Sequence, residues 1–190
     1  MHTQALMQQA LGPQWEQLPP ALQKHYQLAS HTDVGALDIE YPGFMQVPLS
    51  LLHRIGALLH RRGQAVPTTV EKWMDGRTQH WKRTISFAGG RKIYFKSHWH
   101  YAGGNELIEY VNPFLGLRMA ASVDDGKLIY TGRSFVLKLG ALKLPIPEWL
   151  VLGHTSIVET ALDDGRFAMD FRLRHPLFGQ IYRYAGTFKA

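Results

Sequence analysis

The sequence predicts an α+β protein: a strongly curved antiparallel sheet or incomplete barrel of eight to ten meandering strands, packed with one main helix and short N-terminal helices. Three observations predict it. Long segments alternate apolar and polar residues with a period of two, which sends successive side chains to opposite faces of a strand. Gly-Gly and Asp-Asp-Gly turns separate those segments at hairpin intervals. One stretch, Leu49 to Arg62, repeats leucine at helical spacing.

The N-terminal segment His2–Leu28 reads as helical in two pieces, broken at Gly12-Pro13, with Pro19-Pro20 opening the second. Val34–Tyr41 alternates loosely as a first strand, and Pro42-Gly43 turns the chain. Leu49, Leu51, Leu52, Ile55, Leu58 and Leu59 then form the helical stripe, expected to bury Leu52, Ile55 and Leu59 against the sheet. Arg61-Arg62 suit the end of a helix dipole, and Gly63 suits the residue after it.

From Thr68 the pattern is β throughout. Thr78–Phe87 and Arg91–Tyr101 are joined by Ala88-Gly89-Gly90, and Ala102-Gly103-Gly104 leads to Leu107–Val111. Strands follow at Leu117–Val123, Leu128–Lys138, Thr155–Leu162, Arg166–Arg174 and Gln180–Phe188, with Asp124-Asp125-Gly126 and Asp163-Asp164-Gly165 as turns. The proline-rich Leu144–Leu150 is expected to be an extended connection rather than helical. No linker or low-complexity tract interrupts the chain, so residues 1–190 are expected to form one domain, helical over 1–30 and helix plus sheet over 34–190.

A chain of 190 residues with 45% hydrophobic content can bury a sizeable core. The absence of cysteine excludes disulfides and thiolate chemistry. The first thirty residues lack an apolar run behind a basic start, and no window approaches the roughly 20 apolar residues of a membrane helix. A cytoplasmic location is therefore the expectation. The net charge of +6 would suit an anionic partner, but basic residues adjoin only at Arg61-Arg62, Lys82-Arg83 and Arg91-Lys92. That spread argues for solubility charge and against a nucleic-acid surface.

Several stretches resemble a known family. They are Trp81-Lys82-Arg83 with Phe87 and Ser97, Glu109…Pro113-Phe114-Leu115-Gly116, and Leu144-Pro145-Ile146-Pro147-Glu148-Trp149-Leu150. Phe167-Ala168-Met169-Asp170, Pro176-Leu177-Phe178-Gly179 and Tyr184-Ala185-Gly186 complete the set. From about Leu18 onward the chain resembles the bacterial domain-of-unknown-function family 4166. The family is uncharacterised, and its occasional fusion to oxidoreductase-like or membrane segments implies an accessory role. Asn112 stands where the family tends to place glycine, and asparagine also tolerates left-handed backbone.

Among chemistry-bearing groups, His98 and His100 share one strand face at metal-ligand spacing, but they share it with Lys92 and Lys96 and no third ligand follows. Ser97 lacks a glycine-flanked nucleophile turn, and the paired aspartates are explained by their turns. No phosphate-cradling glycine motif is present, and no cofactor is expected.

The stronger lead is charge on apolar faces. Arg83 falls with Trp81, Ile85 and Phe87; Arg133 falls with Ile129, Phe135 and Leu137; Glu109 falls with Leu107 and Val111. One reading is a concave pocket in which Trp81, Trp99 and Tyr101 wall an apolar ligand, with Glu109 nearby, while Arg83 and Arg133 hold an anionic head group. The other is a structural Arg–Glu pair, or arginines whose heads reach water. The leading expectation is therefore non-catalytic binding of a hydrophobic or amphipathic small molecule, in an architecture that resembles lipocalins or helix-grip proteins. An interaction module for an enzyme partner stands second and an enzyme third.

Overall fold

The computed structural model describes residues 5–27, 30–163 and 165–189. His2 and Leu28 of the expected N-terminal helices, and Asp164 of one expected turn, lie outside the described residues. Three short α-helices are described: α1 (Leu6–Leu11), α2 (Pro20–Gln27) and α3 (Gln46–Arg54). Among the described residues the strands are β1 (Ser30–Glu40), β2 (Gly63–Asp75), β3 (Thr78–Ser86), β4 (Lys92–Gly103), β5 (Glu106–Tyr110) and β6 (Leu115–Asp124), followed by β7 (Lys127–Leu139), β8 (Leu142–Ile146), β9 (His154–Asp163), β10 (Arg166–His175) and β11 (Gly179–Lys189).

The meander closes on itself. Each strand pairs antiparallel with its neighbour from β1 to β7, β7 pairs with β9, and β10 and β11 lead back to β1. Ten described strands make the ring, and β8 hangs on the outer part of β7. The expectation of an open or incomplete barrel is thus corrected. The physical reason is that two pairings distant in sequence, β1 with β11 and β7 with β9, leave neither sheet edge unpaired. The Asp124-Asp125-Gly126 hairpin forms as its residues require, with φ of 47° at Asp125 and 68° at Gly126.

Closure brings β1 and β11 into close contact. Gly186 lies opposite Leu37, and a Cβ there would sit 2.0 Å from the Ala36 carbonyl oxygen. No side chain fits at that point, so the close approach of the two strands depends on the glycine.

The helical segments cover the two ends. α1, a 3₁₀ turn over Gly12–Gln17, and α2 pack on strands β4, β6, β9 and β10 at one mouth. They bury Leu6, Met7, Leu11, Trp15, Leu18, Leu22 and Tyr26 in the barrel core. At the other mouth sits the chain following α3. The expected long helix ends early: Gly56 has φ of 76°, its N–H bonds His53 O, and Ala57 N–H bonds Leu52 O. This is the double hydrogen-bond pattern of a glycine-terminated helix, so Gly56 rather than Gly63 ends it. Leu58 and Leu59 then enter the mouth as irregular chain after a bend, and Ile55 is left 51% exposed. The expectation of one main helix with Ile55 on a buried stripe is corrected accordingly.

The Leu144–Leu150 connection is also more ordered than expected. Leu144 to Ile146 pair with β7, and Glu148–Leu150 form a 3₁₀ turn. Among the described residues no helix is long and apolar enough to cross a membrane.

Candidate functional site

Alternation along each strand sends one set of side chains inward, and most of that set is apolar. The polar members define the site. Arg83 on β3 donates to Ser97 Oγ of β4 at 3.1 Å and pairs with Glu109 Oε1 of β5 at 3.3 Å. Ser97 Oγ donates to the same Glu109 oxygen at 2.6 Å. The three residues sit on adjacent strands because register places Trp81 opposite Ser97 and Trp99 opposite Glu109.

This bridge divides the interior. On the α3 side lies an apolar chamber of about 80 Å³, walled by Leu52, Leu58, Leu59, Ile85, Phe95 and Leu117 among others. On the α2 side lies a chamber of about 40 Å³ with Tyr26, Trp81, Trp99, Tyr130, Glu159 and Phe167 in its wall. Leu37, Arg83, Glu109 and Tyr184 belong to both walls.

Polar groups that the sequence patterns do not single out lie in and around the second chamber. Tyr26 Oη lies 2.8 Å from Glu159 Oε2, and Tyr130 Oη donates to Tyr26 Oη at 2.5 Å. Burial drives the Glu159 pKa up to about 7, with the Asp33 charge adding and the Tyr26 hydrogen bond opposing. Asp33 is fully buried and is held by His25 Nδ1 at 2.8 Å and His31 Nε2 at 3.1 Å. Burial lowers the His25 pKa to about 4 despite that bond, so the ring is neutral near pH 7.

Lys72 on β2 is 1% exposed, and its ammonium lies 5.4 Å from the Tyr26 ring and 5.5 Å from the Trp81 ring. Its Nζ has no hydrogen-bond partner among the described residues, and burial lowers its pKa to about 8 against the opposing charges of Asp33 and Glu159. Each of these residues was signalled by parity: Lys72 continues Val66, Thr68 and Val70, and Glu159 continues Thr155 and Ile157.

The sequence-predicted residues separate into two groups. Trp81, Arg83, Trp99 and Glu109 come together inside the barrel. Tyr101 lies at the strand end, 37% exposed, donating to Gly104 O. Arg133 is on the outside, its side chain 54% exposed and 3.9 Å from Glu106. A β-bulge between Gly132 and Ser134 reverses the alternation of β7, so Tyr130 and Phe135 point in and Arg133 does not. The expectation that Arg83 and Arg133 share one concavity is corrected.

His98 and His100 face outward: His98 stacks on Tyr110 near His80, and His100 meets the Tyr110 ring edge-on. Among the described residues no three His, Asp or Glu side chains converge as a metal site. Asn112 serves its turn through its side chain rather than a left-handed backbone: Oδ1 accepts from the N–H groups of Phe114 and Leu115, and Nδ2 donates to Ile55 O.

Together these features define an antiparallel β-barrel with an enclosed, partly polar interior. The chain belongs to the family described as Domain of unknown function (DUF4166), whose model matches residues 18–188. No curated protein matches the sequence. Among solved structures the chain is similar to one described as "REP1-NXSQ fatty acid transporter", at 11% identity over 83% of this chain and 92% of that one, with a TM-score of 0.37. It is similar to a secretory abundant heat soluble protein from Ramazzottius varieornatus at 11% identity over 83% and 91% of the two chains, with a TM-score of 0.35. Likenesses at these scores leave the function to be argued from this chain's own residues.

Proposed function

We propose that the protein binds a hydrophobic or amphipathic small molecule inside the barrel. The observation that supports this reading is the apolar chamber of about 80 Å³ enclosed between the Arg83–Glu109 bridge and the Leu52–Leu59 cap. Its wall offers dispersion contacts and few polar competitors, the usual character of a small-molecule site. The volume suits a short chain, and a longer one requires the Leu58-Leu59 segment to move outward.

Isothermal titration with hexanoic, octanoic and decanoic acids tests the reading. Binding is expected in the parent and is expected to vanish in Leu117→Trp, which fills the chamber while circular dichroism reports the fold. A parent protein that takes up no amphiphile overturns the proposal.

A second reading, an interaction module, is favoured by the outer face of α3. Val47, Leu51 and Ile55 are exposed there beside Phe44. A helix apolar on both sides is ordinarily covered on both. Leu51→Glu is expected to leave titrations unchanged under the first reading and to alter association behaviour in sedimentation under the second.

A further inference from the structure

We propose that the chamber beside Tyr26 receives the oxygen end of an amphipathic ligand, a carbonyl or carboxyl group that accepts hydrogen bonds from Trp81 and Trp99, with the Lys72 ammonium behind the wall adding its charge. This rests on reading the barrel interior as a ligand cavity, and it names what that ligand carries.

The argument is an inventory of donors and acceptors. Lys72 Nζ, Trp81 Nε1 and Trp99 Nε1 are buried and have no hydrogen-bond partner among the described residues. Buried donors are ordinarily paired, so the two indole N–H groups together ask for an acceptor. They are neighbours: the Trp81 and Trp99 rings lie 5.1 Å apart, and the lysine ammonium lies 5.5 Å from the Trp81 ring.

Two acceptors at the chamber are engaged: Glu159 accepts from Tyr26, and Glu109 from Arg83 and Ser97. Asp33 lies 2.8 Å from His25 Nδ1 and 3.1 Å from His31 Nε2 without an aligned hydrogen bond, and the two indole N–H groups in the wall have no acceptor among the described residues. Arg83, the residue first expected to hold a head group, is occupied by its own partners and stands between the chambers instead.

Size agrees with this division. A space of about 40 Å³ holds roughly three water-sized groups, enough for a carboxyl or carbonyl end but not a chain. The chain would lie in the apolar chamber beyond Arg83, along the shared wall of Leu37 and Tyr184. A carboxylate and a neutral carbonyl both satisfy the donors, and chain-matched probes tell them apart.

The test is isothermal titration of octanoate, 2-octanone and n-octane into the parent and into Lys72→Met, Trp81→Phe and Trp99→Phe. The tryptophan variants keep an aromatic ring and remove only the N–H and part of the bulk, so the set survives a Lys72 variant that fails to fold. At least one oxygenated probe is expected to bind about tenfold tighter than octane. Each folded variant is expected to lower that affinity about fivefold or more while leaving octane within about twofold. Octanoate as the tighter probe assigns a carboxylate, and 2-octanone assigns a neutral carbonyl. If octane binds as well as the oxygenated probes, or every variant keeps the preference, the head-group site is overturned while the ligand cavity stands. If none of the three enters the parent, both fall.

Discussion

Ser97 Oγ and Glu109 Oε1 lie 2.6 Å apart inside the barrel, and the Arg83 guanidinium closes on the same oxygen at 3.3 Å. One carboxylate oxygen thus serves two donors from two strands. Removing either charge strands the other away from water. Arg83→Met is expected to cost about 3–5 kcal/mol in urea unfolding, the usual result of breaking a buried pair from one side. Arg83→Met with Glu109→Leu is expected to recover most of it. Recovery of nothing would mean that the arginine contributes through contacts other than Glu109.

The early end of α3 separates two leucine-rich positions that look alike in the sequence. Leu49 is fully buried, whereas Ile55 is half exposed at the helix end. Leu49→Ala is expected to lower stability by about 2–5 kcal/mol and Ile55→Ala by less than about 0.5 kcal/mol. Chemical unfolding of both variants decides it, and equal losses would mean that Ile55 is covered in solution.

At the β1–β11 seam, Gly186→Ala is expected to destabilise by about 1–3 kcal/mol, because the added methyl meets the Ala36 carbonyl. Gly140, in the turn after β7, would place a Cβ in open space, but its φ of 63° carries its own strain. Gly43, with no positive φ and only the Arg62 guanidinium at 3.9 Å from an added Cβ, is the cleaner control, and Gly43→Ala should fall within about 0.5 kcal/mol of the parent. Equal melting temperatures for the Gly186 and Gly43 variants would show that the seam relaxes freely.

Two buried groups give opposing pH dependences. Glu159 titrates near 7 in the folded protein against an ordinary 4.5, so the folded state holds the extra proton and stability falls as pH rises between those values. His25 titrates near 4 against an ordinary 6.5, so the unfolded state holds the extra proton and stability rises with pH over that window. Where the windows overlap the two slopes oppose each other. Glu159→Gln removes only the falling one. Relative to the parent, its stability is expected to climb by up to about 1.4 kcal/mol per pH unit between about pH 5 and pH 7. A difference that stays constant across that range would place the Glu159 carboxyl in contact with water.

The strands were legible because alternation and glycine turns are local properties. Arg83 was found in the same way, its parity matching Trp81 and Ile85. Arg133 was misplaced because a bulge is an extra residue that reverses parity without changing composition. Lys72 went unrecognised because its neighbour Trp73 is the more apolar of the two, yet Trp73 is exposed and Lys72 is buried. Closure was illegible for a different reason. It depends on Val34 meeting Lys189 and Ile129 meeting Val158, and no local pattern encodes a register between distant strands.

That closure also sets the order in which the chain can assemble. Hairpins from β2 to β7 need only neighbouring segments, whereas the second edge of β1 waits for β11, the last of the described strands. Until the two meet, the growing sheet presents two bare edges able to pair with other molecules. Refolding is therefore expected on the millisecond-to-second scale of proteins rich in non-local pairings, with a yield that falls as protein concentration rises. Mutations at the β1–β11 seam should slow the final step and lengthen the time those edges remain open.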